Sequence, residues 1–128
     1  MLHEDKGLDF HLDRTLAVSL ETVQKNFADF DLLDDQVIFV KGWFEDTLCS
    51  VDTECLAILR ADGDLYKSTI DILDALYNKV SIGGFIIIDD YGANEACRKA
   101  VTDFRHTHGI NDTIERIDWT GAYWRRTH

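Results

Sequence analysis

Apolar residues along the chain follow two rhythms, and the switch between them marks out the elements. After a polar start, Leu20, Val23, Phe27 and Phe30 recur at spacings of 3, 4 and 3. They form one face of a helix that Ser19 can cap and that should end within residues 31–35. Val37-Ile38-Phe39-Val40 is a short β-branched and aromatic run stopping before Gly42, which reads as a buried strand. Leu56-Ala57-Ile58-Leu59 is a second such run, with the polar residues 60–64 expected in the loop beyond its carboxyl end. Helical spacing returns at Ile70, Leu73, Leu76, Tyr77 and Val80, followed by an expected Gly83-Gly84 turn and a strand at Phe85-Ile86-Ile87-Ile88. Strands apolar on every side, joined by a helix, predict a parallel sheet covered on both faces. Cys97, Ala100, Val101 and Phe104 mark another amphipathic helix, closed by Gly109. Residues 113–119 and 122–125, separated by Thr120-Gly121, predict an antiparallel hairpin.

Length confines these elements to one compact unit, since 128 residues bury roughly two-thirds of their unfolded surface as a single domain. The longest apolar stretch has nine residues, interrupted by a serine and two glycines, against the roughly 20 that span a bilayer. The opening Met1-Leu2-His3-Glu4-Asp5 lacks the basic start and apolar run of a secretory signal, which makes the cytoplasm the expected compartment. Thirteen basic against 24 acidic residues give a net charge of −11, which repels nucleic acid and acidic membranes and favours small molecules or cations as partners. Cys49, Cys55 and Cys97 are odd in number and without CxxC spacing, which argues against a disulfide framework or zinc knuckle. The five histidines show no zinc-ligand spacing.

Candidate chemistry lies at the strand ends, because ligands of open α/β sheets bind outside the carboxyl ends of the strands. The strand from Leu56 delivers Asp62; the strand from Phe85 delivers Asp89 and Asp90, with 27 residues, one helix plus one strand, between Asp62 and Asp89. Adjacent parallel strands would gather all three carboxylates at one edge, where their repulsion calls for a counter-ion. Mg²⁺ (or Mn²⁺) prefers oxygen ligands and keeps waters that a substrate hydroxyl can replace. The plain alternative is that strand ends are acidic because they are solvated.

Four blocks then resemble, in order, the signatures of the macrocin O-methyltransferase family: Val37-Ile-Phe-Val-Lys-Gly-Trp-Phe-Glu-Asp-Thr-Leu48, Leu59-Arg-Ala-Asp-Gly-Asp-Leu-Tyr-Lys-Ser-Thr69, Gly84-Phe-Ile-Ile-Ile-Asp-Asp-Tyr-Gly92 and Ile117-Asp-Trp-Thr-Gly-Ala-Tyr-Trp-Arg-Arg126. The resemblance runs from about Thr15 to Arg126 and concerns the family's carboxyl-terminal half. It implies transfer of a methyl group from S-adenosylmethionine to a sugar or similar hydroxyl. By that resemblance Asp62, Asp89 and Asp90 hold the Mg²⁺, and Asp62 is also the candidate catalytic base. Gly42, Trp43 and Phe44 follow the strand that abuts the adenine ring, and either aromatic is placed to stack on it or to pack the core. Tyr66 and Tyr91 flank the metal block and are candidate substrate contacts. The chain departs from the family pattern at Cys49, where proline is usual, and at Ala61, where an aliphatic residue is usual.

The implied fold is α/β: a Rossmann-like class I methyltransferase sheet, three-layer and incomplete, ending in an antiparallel hairpin. Residues 1–14 form a polar N-terminal segment, and residues 15–128 the carboxyl-terminal part of one methyltransferase-like domain. The family's glycine-rich loop and the acidic residue that hold the methionine and ribose of the cofactor would precede Met1. Its first two strands would lie between the strand near Val37 and that near Leu56, so two strand edges lose their neighbours. The chain must then close the gap, pair as a homodimer, or be completed by a missing N-terminal half. The rival readings are a catalytically silent, self-associating remnant and a non-enzymatic divalent-ion binder.

Overall fold

The computed structural model describes residues 3–7 and 18–128. In chain order the elements are α1 (Leu20–Asp29), a one-turn α2 (Phe44–Thr47), β1 (Leu56–Ala61), α3 (Tyr66–Leu76), β2 (Val80–Ile88), α4 (Glu95–Thr107), β3 (Glu115–Arg116) and β4 (Ala122–Arg125). Single 3₁₀ turns occupy His3–Asp5, Leu48–Ser50 and Tyr77–Lys79.

The sheet has the order β1-β2-β4-β3. β1 and β2 run parallel, with Leu59 opposite Ile86 and Ala61 opposite Ile88, and α3 is the crossover between them. β4 lies antiparallel to β2, with Trp124 opposite Ile86, and β3 closes the hairpin with β4. Alternation along the strands sends Leu59, Ala61, Ile86, Ile88 and Trp124 to one face, where α3 and α4 cover them. Leu73 from α3 and Val101 from α4 are fully buried there, and Phe104 meets Tyr77 edge-on at 5.3 Å. Arg126 clamps the chain end to this core by donating from Nη1 to the carbonyls of Tyr77 (3.2 Å), Asn78 (3.0 Å) and Val80 (2.6 Å).

The helices lie where their periodicities put them, except that α1 stops at Asp29 and leaves Phe30 exposed, and α3 stops at Leu76, so that Val80, expected on the helix, opens β2 instead. Ser19 caps α1 by accepting from Thr22 N–H at 3.2 Å, and α4 buries Cys97, Ala100, Val101 and Phe104 ahead of Gly109. The hairpin is also present, but its loop spans residues 117–121 rather than Thr120-Gly121 alone. Asp118 Oδ1 folds that loop by accepting from Thr120 N–H (2.8 Å), Thr120 Oγ1 (3.1 Å) and Gly121 N–H (2.7 Å).

Three expectations need correction. Residues 37–40 form no strand and pair with none among the described residues, and Ile38 is 80% exposed. A strand exists only where a partner offers a ladder, and this run instead packs Phe39 edge-on against Phe27 of α1 at 5.4 Å. Among the described residues β1 likewise keeps its outer edge unpaired, and it does not pair with residues 37–40. Gly83 and Gly84 lie inside β2 and make no turn between helix and strand. The register slips between Leu56 and Ile58, and Gly83 takes φ 86° at that irregularity, a conformation costly for other residues. Finally, the described helices of the core cover one face of the sheet only. On the other face Ile58 (57%) and Ile82 (64%) are exposed, so the observed layering is two, not three. The residue 1–14 segment is described at residues 3–7 alone, where Asp5 is buried.

Candidate functional site

The parallel pairing of β1 and β2 ends both strands at the same edge, which brings the acidic residues together. Asp89 N–H donates to the Ala61 carbonyl at 3.0 Å, extending the ladder by one step, so Asp62 and Asp89 leave the two strands side by side. Asp62, Asp89 and Asp90 each present a carboxylate oxygen, and these oxygens lie within 4.8 Å of one another.

Alternation divides the three between the two faces of the sheet. Asp89 follows Phe85 and Ile87 on the open face, in line with Arg60 and Asp62 from β1. Asp90 follows Ile86 and Ile88 toward the helices, where it lines a cavity of about 510 Å³ with Asp64 and the start of α4. Arg60 spans the open-face pair. It donates to Asp89 Oδ1 from Nη2 (2.5 Å) and Nε (3.2 Å), and Nη2 lies 3.3 Å from Asp62 Oδ2.

Among the described residues Asp90 makes no ion pair. Its Oδ2 is buried without a hydrogen-bond partner among the described residues. Burial first, then a hydrogen bond with Asp64 that needs a proton between the two carboxyls, then the charges of Asp64, Asp62 and Asp89 push its pKa up to about 6. Asp62 is also raised, by burial and then by Asp89, with Arg60 pulling the other way. The cluster therefore carries more negative charge than its own surroundings neutralise.

Other predicted residues scatter around this edge. Trp43 is 76% exposed and Phe44 is also on the surface, so neither packs the core. Gly42 turns the chain into α2 at φ 154°, where a Cβ would collide with the Thr47 side chain. Lys67 ties α2 to α3, with Nζ 2.9 Å from Glu45 and 2.6 Å from Asp71. Tyr66 has its hydroxyl committed, donating to Asp103 Oδ2 at 2.8 Å, while Lys99 Nζ stands 5.1 Å from its ring centre. Tyr91 borders a cavity of about 480 Å³ with Arg98, Arg116 and Trp119. That cavity is joined mechanically to the acidic edge. Gly92 N–H donates to the Thr120 carbonyl at 2.6 Å, and a side chain at Gly92 would strike the Trp119 carbonyl.

Arg60, Asp64 and Asp5 were not among the predicted site residues. Strand alternation carried one residue past Ala61 puts Arg60 beside Asp62 and would have found the first. Asp64 adopts φ 52°, which turns it back toward Asp90, and no spacing rule announces that. Asp5 accepts from Tyr66 N–H (2.7 Å) and Lys67 N–H (3.3 Å), capping α3 from far away in sequence.

Comparison with known proteins places this edge in a family. The model for macrocin O-methyltransferase (TylF) matches residues 1–126. The chain is 53% identical over 126 residues to the 8-demethyl-8-(2,3-dimethoxy-alpha-L-rhamnosyl)-tetracenomycin-C 4'-O-methyltransferase of Streptomyces olivaceus, covering 98% of this chain and 45% of that protein. It is 52% identical over 124 residues to the demethyldecarbamoylnovobiocin O-methyltransferase of Streptomyces niveus, covering 96% of this chain and 47% of that protein. The chain thus spans about half the length of the curated relatives it matches. Among solved structures, the O-methyltransferase NovP superposes with a TM-score of 0.97 at 46% identity, over 100% of this chain and 53% of that one. The apo structure of the TDP-rhamnose 3'-O-methyltransferase CalS11 has a TM-score of 0.61 at 19% identity, over 82% of this chain and 48% of that one, a likeness of fold alone. A mixed sheet ending in paired aspartates, a family model spanning nearly every residue and relatives above half identity converge: the chain belongs to the macrocin O-methyltransferase family.

Proposed function

We propose that this chain supplies the metal-bearing, acceptor-facing half of an S-adenosylmethionine-dependent O-methyltransferase that methylates a sugar hydroxyl. One observation carries the reading: three aspartate oxygens within 4.8 Å of one another at the end of a parallel strand pair. The donor set fits a divalent cation. All the donors are hard oxygens, and Asp90 Oδ2 is buried with no hydrogen-bond partner among the described residues. Asp62, Asp89 and Asp90 would hold Mg²⁺ or Mn²⁺, which supplies an acidified, oriented acceptor hydroxyl.

Asp62 takes the proton from that hydroxyl, and the acceptor oxygen attacks the methyl carbon in line as the carbon–sulfur bond breaks. Burial and then Asp89 raise the proton affinity of Asp62 in the metal-free chain, with Arg60 pulling the other way. The exposed ring of Trp43, with Phe44 and the Gly42 turn, forms the surface for the adenine. Tyr91, on the wall of the neighbouring cavity, meets the acceptor. The sheet is then a portion of a class I methyltransferase sheet, and the methionine end of the cofactor is held by residues outside these elements. The names of the Streptomyces relatives, both O-methyltransferases and one of a rhamnosyl compound, support this substrate class.

The test is methyl transfer from labelled S-adenosylmethionine to a glycosylated acceptor, with the chain complemented by an amino-terminal fragment of a family member. Transfer that chelator abolishes and Mg²⁺ restores is expected; transfer indifferent to chelator overturns the metal role. S-adenosylmethionine should bind the isolated chain weakly, because losing several hydrogen bonds at about 1 kcal/mol each costs orders of magnitude in affinity. Micromolar binding, followed by tryptophan emission, would contradict the account.

A second reading has its own observation. The outer edge of β1 is unpaired, and Ile58, Ile82 and Phe85 lie exposed on the open face of the sheet. A self-associating module without catalysis would use this surface, and dimerisation without cofactor affinity would favour it.

A further inference from the structure

We propose that Arg60 is a built-in counter-ion of the acidic edge, a positioning residue that holds Asp62 and Asp89 in ligating geometry while no cation is bound and is displaced when one arrives. The inference rests on the metal reading above and adds to it a residue that competes with the cation for the same oxygens.

The guanidinium reaches the edge from strand β1, two positions before Asp62. Its Nε and Nη2 both converge on Asp89 Oδ1, at 3.2 and 2.5 Å, and Nη2 lies 3.3 Å from Asp62 Oδ2. One positive charge thus bridges two of the three carboxylates whose oxygens lie within 4.8 Å of one another. Without it, the like charges at this distance would repel one another uncompensated on the open face.

The bridge is built to be given up. The Arg60 side chain is 57% exposed, and the open face beyond β1 is uncovered among the described residues, so the guanidinium has solvent to swing into. An exposed ion pair of this kind binds weakly. A divalent cation offers twice the charge and reaches all three aspartates, including Asp90, which makes no ion pair with Arg60.

Calorimetric titration of the chain with Mn²⁺, comparing parent, Arg60→Gln and Arg60→Lys, tests this together with thermal unfolding in chelator and in saturating Mn²⁺. Arg60→Gln should bind Mn²⁺ about five-fold more tightly than the parent, since it no longer gives up an exposed ion pair. Its Tm should be below the parent's in chelator and level with the parent's in Mn²⁺. Arg60→Lys, which keeps the charge, should lie near the parent in both. Equal or weaker Mn²⁺ affinity in Arg60→Gln overturns the proposal and leaves the metal reading standing. A Tm deficit that Mn²⁺ does not remove overturns it too, for that marks an ordinary structural residue. Absence of binding by parent and both variants overturns the proposal and the metal reading together.

Discussion

At the scale of single residues, Asp90 differs from Asp62 and Asp89 in making no ion pair among the described residues. Its folded pKa of about 6 lies above the ordinary 3.8, so folding disfavours its ionised form. The resulting penalty is absent below about pH 4, grows as pH rises through the folded value, and is complete above about pH 6. In chelator the metal-free chain should therefore gain stability from this residue on acidification from about pH 7 to 5. Asp90→Asn should raise Tm at pH 7 and flatten that slope. Parallel Tm profiles for parent and variant would contradict the assignment. The three aspartates were legible because apolar runs ending in Asp state where a strand stops. Arg60 lay within reach of strand alternation, which sets it beside Asp62, whereas Asp64 did not, because it takes a left-handed backbone that no spacing announces.

At the scale of elements, α3 carries the crossover that sets Asp62 against Asp89, and two residues fix it in place. Leu73 is fully buried between sheet and helix, and Asp5 caps the first turn, where the preceding Leu65 offers no side-chain acceptor. Leu73→Ala should cost about 2–5 kcal/mol, as expected for a cavity in a packed core. Asp5→Ala should cost about 1 kcal/mol, the value of a helix cap. Denaturant midpoints at constant m-value check both, and an Asp5→Ala midpoint equal to the parent's would show the cap to be without weight. Helices α1, α3 and α4 could be read from spacing because a helix satisfies its own backbone and displays its buried stripe. Residues 37–40 had the composition of a strand, but strand identity depends on a partner, and composition carries no information about one. Gly83 and Gly84 resembled a turn because the backbone freedom a turn needs is the same freedom an irregular strand uses.

At the scale of the whole molecule, the helical layer seals one face of the sheet while the other displays Ile58, Ile82 and Phe85 beside an unpaired edge. Apolar surface of this kind associates. Sedimentation velocity at low micromolar concentration should show a dimer, and Ile58→Lys should shift it toward monomer. A parent chain that sediments as a stable monomer would instead mean that the open face is tolerated in water. Among the described residues no helix is long and apolar enough to cross a membrane, in keeping with the apolar runs of the sequence.

The central claim is that one acidic edge, assembled from two parallel strand ends, takes a divalent cation, and calorimetric titration of the parent chain and Asp89→Asn with Mg²⁺ and Mn²⁺ tests it most directly. The account predicts one site on the parent for either ion and at least ten-fold weaker binding by the variant, the effect of removing one charged ligand at about 1.4 kcal/mol per decade. Unchanged affinity in Asp89→Asn, or no binding by the parent, would contradict it.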